Sequence, residues 1–504
     1  MNQIRKGAII SYLAIILNII AGLLYTPWMV EQIGVSDYGL YALVGSFLSY
    51  FVMDFGLGQA IARFIVNALV KGNEREIEKI ISITTKIYLI IATIIAVALL
   101  ITFFLLSSIF SNFTLEEIGK FKIIYCIAGF FSILNFPFTP QYGILIAYER
   151  FVVLKTTDLI QKLGVIVLMI IAILCGYGLF TLVFINGLVC FVLSLYKYWY
   201  IRYSMNVKIN FNFFDKLLVK RLFKFSFWVF IIGIAQRLFL NLAPTILGIF
   251  ANTAQIAVFA IGMSLDAYTW TFANALNGLF LPKVAKLSLV SHTREQINEL
   301  MIKIGRLQLL IVGFIIAGIV IFGKSFVLLW MGDEFAESYI VAICLIIPGI
   351  ITLTQEIANS LLFVENKIRY RAILFISASG ISVVVGVLLA PYYGATGVAV
   401  GVLIALLICH VIGMNIVYHK VLKLDIIDFF RQCHFKMFLP MILAIAISLI
   451  LKYFNPISSW MVLLMQAIIF TIIFYSLTWF FFMNDYEKSL LKQSIISIIN
   501  KLKN

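Results

Sequence analysis

Two apolar stretches in the middle of the chain each carry one full charge. Arg237 lies in the run Ile231–Phe250, and Asp266 lies in the run Ile256–Leu281. A charge inside a membrane segment is costly and usually faces a water-filled cavity, a partner or a substrate. A guanidinium presents a planar fork of donors that suits phosphate or pyrophosphate. Arg237 is therefore the main candidate for contacting a phosphorylated substrate; a neutralising or gating pair with Asp266 or Glu356 is the alternative.

Polar residues accompany both charges at helical spacing. Arg237 and Asn241 share one helical face, and Asp266 and Trp270 share another. Arg63, near the cytoplasmic end of an earlier apolar run, could meet an entering head group or could snorkel to the interface. The predicted substrate-binding residues of a central cleft are Arg237, Asn241, Gln236, Asn274, Asn277, Trp270 and Arg63.

Three acidic residues inside apolar runs are candidates for coupling transport to H⁺ or Na⁺: Asp54, Asp266 and Glu356. Asp54 could instead cap or bend a helix beside Gly56. A lone histidine in an apolar run, His410, is read as a packing residue. The six cysteines are scattered without a CxxC pair, and no metal-ligand spacing or nucleophile triad occurs, so we expect no catalytic residue, metal or cofactor.

One motif matches the phosphate-cradling loop of nucleotide-binding proteins. Gly318–Ser325 satisfies G-x-x-x-x-G-K-S. Its variable residues are all apolar, it follows a membrane helix rather than a strand, and the predicted topology places it outside, where ATP is not available. We read the match as chance and expect no ATP binding.

The composition indicates an integral membrane protein. The chain has 504 residues, of which 63% are hydrophobic and 12% charged, against about 45–50% apolar and about 25% charged in soluble domains. Apolar runs of 18 or more residues recur throughout, which favours helices over a β-barrel. The net charge of +15 lies in loops, where it sets orientation and does not predict nucleic-acid binding.

We predict fourteen transmembrane helices. They are Ile9–Val30, Leu40–Arg63, Ile80–Ser107, Ile123–Tyr148, Thr156–Cys175, Leu179–Trp199, Leu222–Ile249, Ile256–Leu281, Ile304–Phe322, Ile340–Val364, Ala372–Ala390, Ala395–Tyr418, Met437–Leu451 and Trp460–Met483. Most of the 38 Lys and Arg residues fall at the N-terminus and in every second loop. This bias predicts that both termini are cytoplasmic.

An internal repeat organises these spans. Three local matches recur at a nearly constant separation along the chain: Pro27 with Pro244, Glu76 with Glu295, and Glu149 with Glu365. Six spans separate the matches, so the repeat predicts two parallel, pseudo-symmetric six-helix lobes. We expect an N-terminal lobe at 1–200, a cytoplasmic linker at 201–221, a C-terminal lobe at 222–418, and two extra helices with a cytoplasmic tail at 419–504.

This architecture resembles the multidrug/oligosaccharidyl-lipid/polysaccharide (MOP) exporter superfamily, and local motifs are similar to its O-antigen flippase branch, called Wzx. The motifs begin at Lys6 (KGAIISYL), Gly34 (GVSDYGLY), Asp54 (DFGLG), Arg63 (RF), Gly72 (GNE) and Tyr393 (YGATGVA). The resemblance covers essentially the whole chain. It implies a flippase, not an enzyme, that moves undecaprenyl-pyrophosphate-linked sugar repeat units across the bacterial inner membrane by alternating access.

The resemblance also implies partners and leaves rivals open. The expected partners are the lipid-linked glycan and the bilayer, with a polysaccharide polymerase and a chain-length regulator as candidates, and the chain is expected to act as a monomer. A multidrug and toxin extrusion antiporter and a lipid II flippase are alternatives within the superfamily. A glycan polymerase or ligase would need large outer loops with catalytic residues, and the outer loops here are short.

Overall fold

The computed structural model describes residues 3–53, 56–205, 207, 210, 213, 215–277, 294–365 and 367–489. In these residues the chain forms helices and no β-strand, which confirms the predicted all-α class. Numbered in chain order, the α-helices are α1 (Gln3–Ile33), α2 (Val35–Leu48), α3 (Leu57–Val70), α4 (Glu74–Ile109), α5 (Leu115–Asn135), α6 (Pro140–Ala147), α7 (Phe151–Leu174), α8 (Leu179–Trp199), α9 (Lys216–Phe250), α10 (Thr253–Asn277), α11 (Arg294–Met331), α12 (Ser338–Ile346), α13 (Gly349–Thr352), α14 (Glu356–Val364), α15 (Arg369–Ala405), α16 (Met414–Lys420), α17 (Ile426–Phe430), α18 (Lys436–Phe454) and α19 (Trp460–Phe481).

Polar caps fix where several of these helices begin. Asn73 accepts a hydrogen bond from the backbone N–H of Glu76 at 3.1 Å and starts α4. Thr114 and Glu117 form a reciprocal capping box at the start of α5. Asp215 accepts from two backbone N–H groups in the first turn of α9. These caps satisfy donors that have no partner inside the helix.

Within the described residues, ten segments are long and apolar enough to cross a membrane, or eleven if the bent α9 counts as one. The ten are Glu74–Ile109, Leu115–Ala147, Phe151–Leu174, Leu179–Ser204, Thr253–Ala273, Arg294–Met331, Asp333–Thr352, Arg369–Lys420, Ile426–Phe454 and Trp460–Phe481. The multi-pass helical fold is therefore confirmed, and the count of fourteen stays a prediction.

Several predicted spans are broken rather than continuous. The fourth span changes to a 3₁₀ turn at Phe136–Phe138 before α6 begins at Pro140. The tenth is divided into α12, α13 and α14, with Pro348 at the first break. The second is divided into α2 and α3. Proline interrupts helices because it lacks the N–H and its ring clashes with the preceding turn.

The helix α15 reverses direction at Gly394, its one residue with non-helical backbone angles (φ 50°, ψ −131°). A Cβ placed on Gly401 would lie 2.9 Å from the backbone nitrogen of Gly386. Those two residues would be about 22 Å apart in a straight helix. α15 is therefore a helical hairpin, and its turn falls between the predicted eleventh span, Ala372–Ala390, and twelfth span, Ala395–Tyr418.

The helix boundaries follow the predicted repeat. We name α1–α8 the first repeat and α9–α16 the second repeat. Two pairs of boundaries correspond at the same separation along the chain: the ends of α1 and α9 (Ile33 and Phe250) and the ends of α6 and α14 (Ala147 and Val364). These helix ends therefore recur with the spacing of the predicted repeat, and the pseudo-symmetric arrangement of two lobes stays a prediction.

The chain divides into two compact units by contact. The first unit is Met1–Ala260 with Phe375–Gly401, and the second unit is Ile261–Leu374 with Val402–Asn504. The four-segment domain scheme expected from sequence stays a prediction.

Each unit has its own packed interior. In the first unit, Phe47 lies edge-on to Phe110 and Phe121, at centroid distances of 5.7 and 6.4 Å. In the second unit, Phe314 stacks on Phe470 at 5.3 Å, which joins α11 to α19. Aromatic pairs of this kind add about 0.5–1.5 kcal/mol beyond the area that they bury.

Candidate functional site

The helix that carries Arg237 is bent. Its arms Phe230–Phe239 and Asn241–Phe250 meet at 43°. Pro244 lies four residues after Leu240, where the arms meet, so it removes a backbone hydrogen bond and its ring clashes with the Leu240 carbonyl. The bend is therefore built into the sequence of α9.

Tyr50, after the end of α2, stabilises this bend. Its hydroxyl donates to the backbone carbonyl of Asn241 at 2.5 Å and lies 3.0 Å from the hydroxyl of Thr245. Polar groups at a bend benefit from such partners in a membrane, where no water supplies them.

The predicted cleft residues of α9 lie beside this bend. Arg237 is one turn before Asn241 on the same face, as predicted, and both side chains are half-buried. Gln236 is also half-buried. Arg237 is therefore partly accessible and lies next to the bend of α9.

The remaining predicted cleft residues are distributed among other elements. Asp266 is half-buried on α10, and Trp270 on the same helix is 42% exposed. Asn274 and Asn277 belong to α10, but their side chains lie outside the described residues, as does Asp54. Arg63 is exposed on α3. Arg237 belongs to the first unit and Asp266 to the second, so their pairing stays a prediction.

Glu356 lies at the start of α14 in a polar cluster of the second unit. Its carboxylate accepts a long hydrogen bond of 3.5 Å from Asn359, whose side-chain oxygen in turn accepts from Tyr418 at 2.8 Å. Gln355 donates to Asn415 at 2.7 Å. The break between α13 and α14 therefore places side-chain amides and a carboxylate at a helix end, and a continuous helix would have no end at this point.

Two charged or titratable residues approach this Glu356 cluster. Arg371 and His410 interact electrostatically with one another, and Arg371 also interacts with Glu356 and Tyr418. The sequence predicts a packing role for His410 and gives no sign that Arg371 lies near Glu356. Only the proximity of α14, α15 and the π-helical turn Leu406–Gly413 brings them to Glu356. Arg371 offsets the charge of the Glu356 carboxylate, and a coupling role of Glu356 stays a prediction.

A second polar cluster joins equivalent positions of the two repeats. The hydroxyls of Ser36 and Thr253 lie 2.9 Å apart, and these residues are separated by 217 positions, which is also the separation of Pro27 from Pro244. The carboxylate of Glu117 accepts from Ser36 at 3.0 Å and from Thr253 at 2.6 Å. Gly39 allows the close approach, because a Cβ there would overlap the carbonyl oxygen of Thr253. Sequence reasoning missed this contact, although the repeat itself pairs Ser36 with Thr253.

The phosphate-loop match at Gly318–Ser325 lies wholly inside the helix α11. Its backbone N–H groups are therefore used by helical hydrogen bonds and cannot cradle a phosphate. The conformation agrees with the interpretation of this match as chance.

Comparisons with known proteins place this geometry in context. The family model described as "Polysaccharide biosynthesis protein" matches residues 4–280. A search of curated proteins found no significant match. Among solved structures, the fold is similar to the lipid II flippase MurJ in an inward closed conformation, with a TM-score of 0.68 and 15% identity over 97% of this chain and 99% of that one.

Two further structures are similar at lower coverage. An inward-facing multidrug resistance MATE family transporter of the MOP superfamily has a TM-score of 0.61 and 15% identity over 81% of this chain and 96% of that one. A MOP superfamily transporter from Pyrococcus furiosus, described as having a binding pocket of reverse polarity, has a TM-score of 0.58 and 15% identity over 81% and 93%. The fold is that of the MOP superfamily, as predicted from the sequence motifs.

Proposed function

Because the chain belongs to the polysaccharide biosynthesis protein family, we propose that it is a flippase for lipid-linked glycans. Its substrate would be an undecaprenyl-pyrophosphate-linked oligosaccharide repeat unit, of O-antigen or a related surface polysaccharide. The chain would move this head group from the cytoplasmic to the outer leaflet of a bacterial inner membrane. The observation that carries the proposal is the family match over residues 4–280, which includes both the bent helix α9 and Arg237.

The chemistry of α9 supports a pyrophosphate head group. Arg237 is half-buried beside the bend, and a guanidinium can bind two phosphate oxygens at once. The polar residues Gln236 and Asn241 on neighbouring positions would bind sugar hydroxyls. The lipid tail would stay in the bilayer while the head group passes. The orientation bias of Lys and Arg supports cytoplasmic termini.

The membrane potential could supply part of the driving force. Moving one charge across about 100 mV is worth about 2.3 kcal/mol. A pyrophosphate with two negative charges is therefore pushed outward by an inside-negative potential. Return of H⁺ or Na⁺ through Asp54, Asp266 or Glu356 would add to this force, and Glu356 suits such a role because it is half-buried and has Asn359 as a hydrogen-bond partner.

Lipid II transport is the second candidate. The similarity to the lipid II flippase MurJ extends over 97% of the chain, against 81% for the MATE transporter. Both lipid substrates present a pyrophosphate to Arg237, whereas an organic-cation pump would have no use for it. Together with glycan transport we propose that a polysaccharide polymerase and a chain-length regulator are partners, and that the chain acts as a monomer.

Deletion of the gene tests the choice. We expect viable cells that lose surface glycan and accumulate the undecaprenyl-pyrophosphate-linked repeat unit, measured by lipid extraction and mass spectrometry. Lipid II accumulation with loss of viability would replace the glycan proposal by the lipid II function. Unchanged surface glycan together with new drug sensitivity would contradict both and favour a multidrug antiporter.

A further inference from the structure

The second unit contains an open cavity of about 1050 Å³ whose lining includes neither Asp266 nor Glu356. It is bounded by the N-terminal part of α11, the segment from Lys423 to Lys436, and the residues that follow α19. The proposed topology puts these elements on the cytoplasmic side, at the level where the last membrane helix ends. None of the functional arguments above uses this cavity.

The wall of the cavity contains both signs of charge in nearly equal number. Its cations are Arg294, Lys303, Arg306, Lys423 and Lys436, and its acids are Glu295, Glu299, Asp425 and Asp428. Two of the cations are already neutralised, because Arg294 pairs with Glu365 and Arg306 pairs with Glu487. A purely anionic ligand would face four carboxylates. The wall suits a ligand that carries a phosphate and an ammonium together.

A buried amide in the wall also points to a ligand. Asn298 is 8% exposed and lines the cavity. Its side-chain oxygen is buried and accepts no hydrogen bond from any residue that the structure describes. A buried amide oxygen without a hydrogen-bond donor is unfavourable. An ammonium or hydroxyl group in the cavity would supply the missing donor.

Backbone strain supports the same site. Lys423 has φ 56°, in the left-handed region that non-glycine residues rarely adopt. Such strain often accompanies ligand sites. Lys303, also in the lining, lies 3.6 Å above the ring of Tyr486, which holds its ammonium at the cavity.

The apolar part of the wall continues into the membrane surface. Phe481 and Phe482 line the cavity at the end of α19, and Phe480 and Phe481 are 76% and 59% exposed on that helix. A molecule bound by its head group here would lay its acyl chains along α19. Aromatic residues at this depth are typical of the membrane–water interface.

We propose that this cavity binds a phosphoethanolamine group, most simply the head group of phosphatidylethanolamine. Lys303 and Lys436 would hold the phosphate. Asp428 and the amide oxygen of Asn298 would accept from the ammonium. The inference does not depend on the proposed flippase activity.

Lipid retention measured by native mass spectrometry tests the site. The full chain, in detergent, is exposed to equimolar phosphatidylethanolamine and phosphatidylglycerol. We expect the wild type to retain phosphatidylethanolamine about tenfold better, which corresponds to about 1.4 kcal/mol. Equal retention of the two lipids would overturn the proposal, and so would preference for phosphatidylglycerol.

Two variants locate the site. Lys436→Ala removes an exposed cation, and Asn298→Leu replaces the amide by an apolar side chain of similar size; each should abolish the preference. Lys220→Ala, an exposed cation on α9 in the first unit, is the matched control and should keep it. Loss of preference in the control, or its survival in both test variants, would contradict the assignment.

Free phosphoethanolamine distinguishes the source of the group. If a lipid is the ligand, millimolar phosphoethanolamine should displace little phosphatidylethanolamine, because the acyl chains add to its affinity. Full displacement would assign the site to a soluble phosphoethanolamine ester instead. Absence of binding by both probes would overturn the site altogether.

Discussion

In the third span of each repeat, a cation contacts a distant part of the chain. In α4 this is Lys86, whose ammonium donates to the backbone carbonyl of Phe213 at 2.8 Å. In α11 it is Arg306, which donates to both carboxylate oxygens of Glu487 at 2.6 and 2.9 Å. The lysine is half-buried, whereas the side chains of Arg306 and Glu487 are 6% and 2% exposed.

Removal of Lys86 and removal of one partner of the Arg306–Glu487 pair should lower the stability by different amounts. A lysine bonded to a backbone carbonyl leaves no second charge behind when it is removed. A buried ion pair is held together against a large desolvation penalty, so loss of one partner leaves an isolated buried charge. Glu487 follows α19, outside the two repeats, so this pair ties the C-terminal helices to the second repeat. The second repeat thus depends on a buried ion pair, whereas Lys86 in the first repeat contacts only a backbone carbonyl.

The largest stability effect is therefore expected at Glu487. Glu487→Gln should lower the free energy of unfolding by about 3–5 kcal/mol, measured by denaturant unfolding in detergent. Lys86→Met is the matched comparison and should cost about 1 kcal/mol. Equal losses in the two variants would remove the contrast between the repeats. The double variant Arg306→Met/Glu487→Leu should recover most of the lost stability.

A second contrast concerns the bent helix. Pro27 in α1 and Pro244 in α9 occupy equivalent positions of the repeat. At the bend near Pro244, the hydroxyl of Tyr50 donates a hydrogen bond to the backbone carbonyl of Asn241. Tyr50→Phe should therefore destabilise the protein by about 0.5–1.5 kcal/mol, because the hydrogen bond from the Tyr50 hydroxyl to the Asn241 carbonyl is lost. The same unfolding measurement applies. Tyr41→Phe on α2 is the control, and a loss as large as that of Tyr50→Phe would contradict the assigned role.

The smallest expected effect separates Glu149 from its equivalent, Glu365. Glu149 is exposed, whereas Glu365 accepts from Arg294 at 2.5 Å and from Lys367 at 2.8 Å. Burial alone would raise the pKa of Glu365, but the hydrogen bonds from Arg294 and Lys367 outweigh it and hold that pKa below its ordinary value. The resulting stability is present above the unfolded pKa of about 4.3 and is lost as pH falls through the folded pKa.

Melting temperature against pH checks this pair. Glu365→Gln should be less stable than wild type at pH 7, by about 1 kcal/mol or less, and the difference should vanish as pH falls below about 4. Glu149→Gln should show no such pH-dependent difference. A constant gap between Glu365→Gln and wild type from pH 7 to pH 3 would show that the loss is not electrostatic.

The fold class, the repeat and the main charged residues within helices could be predicted from the sequence, because hydropathy and spacing are local properties. The broken spans were hidden because Pro137, Pro140 and Pro348 lie in runs whose hydropathy stays high across the break. The prolines were the available signal. A hydropathy window measures how apolar a run is, and it does not register where its backbone leaves the helical path.

The buried charges were harder to predict. Arg306 lies at the start of the predicted ninth span, Ile304–Phe322, and nothing in the sequence indicated its partner, which is 181 residues away. Arg371 directly precedes the predicted eleventh span, and its interaction with Glu356 was equally hidden. Charge bias in loops reports orientation and says nothing about partners. The roles of Arg237, Asp266 and the other cleft residues stay predictions.

Arg237 is the sharpest difference between the repeats, because Ile20 occupies its equivalent position in α1 and is 49% exposed. The most direct test complements a deletion strain and measures surface glycan and accumulated lipid-linked repeat unit at equal protein level. Arg237→Ala should abolish display, Arg237→Lys should retain part of it because a point charge replaces the fork, and Lys224→Ala, exposed on the same helix, should match wild type. Full display by Arg237→Ala at normal expression would contradict the claim that Arg237 binds the pyrophosphate.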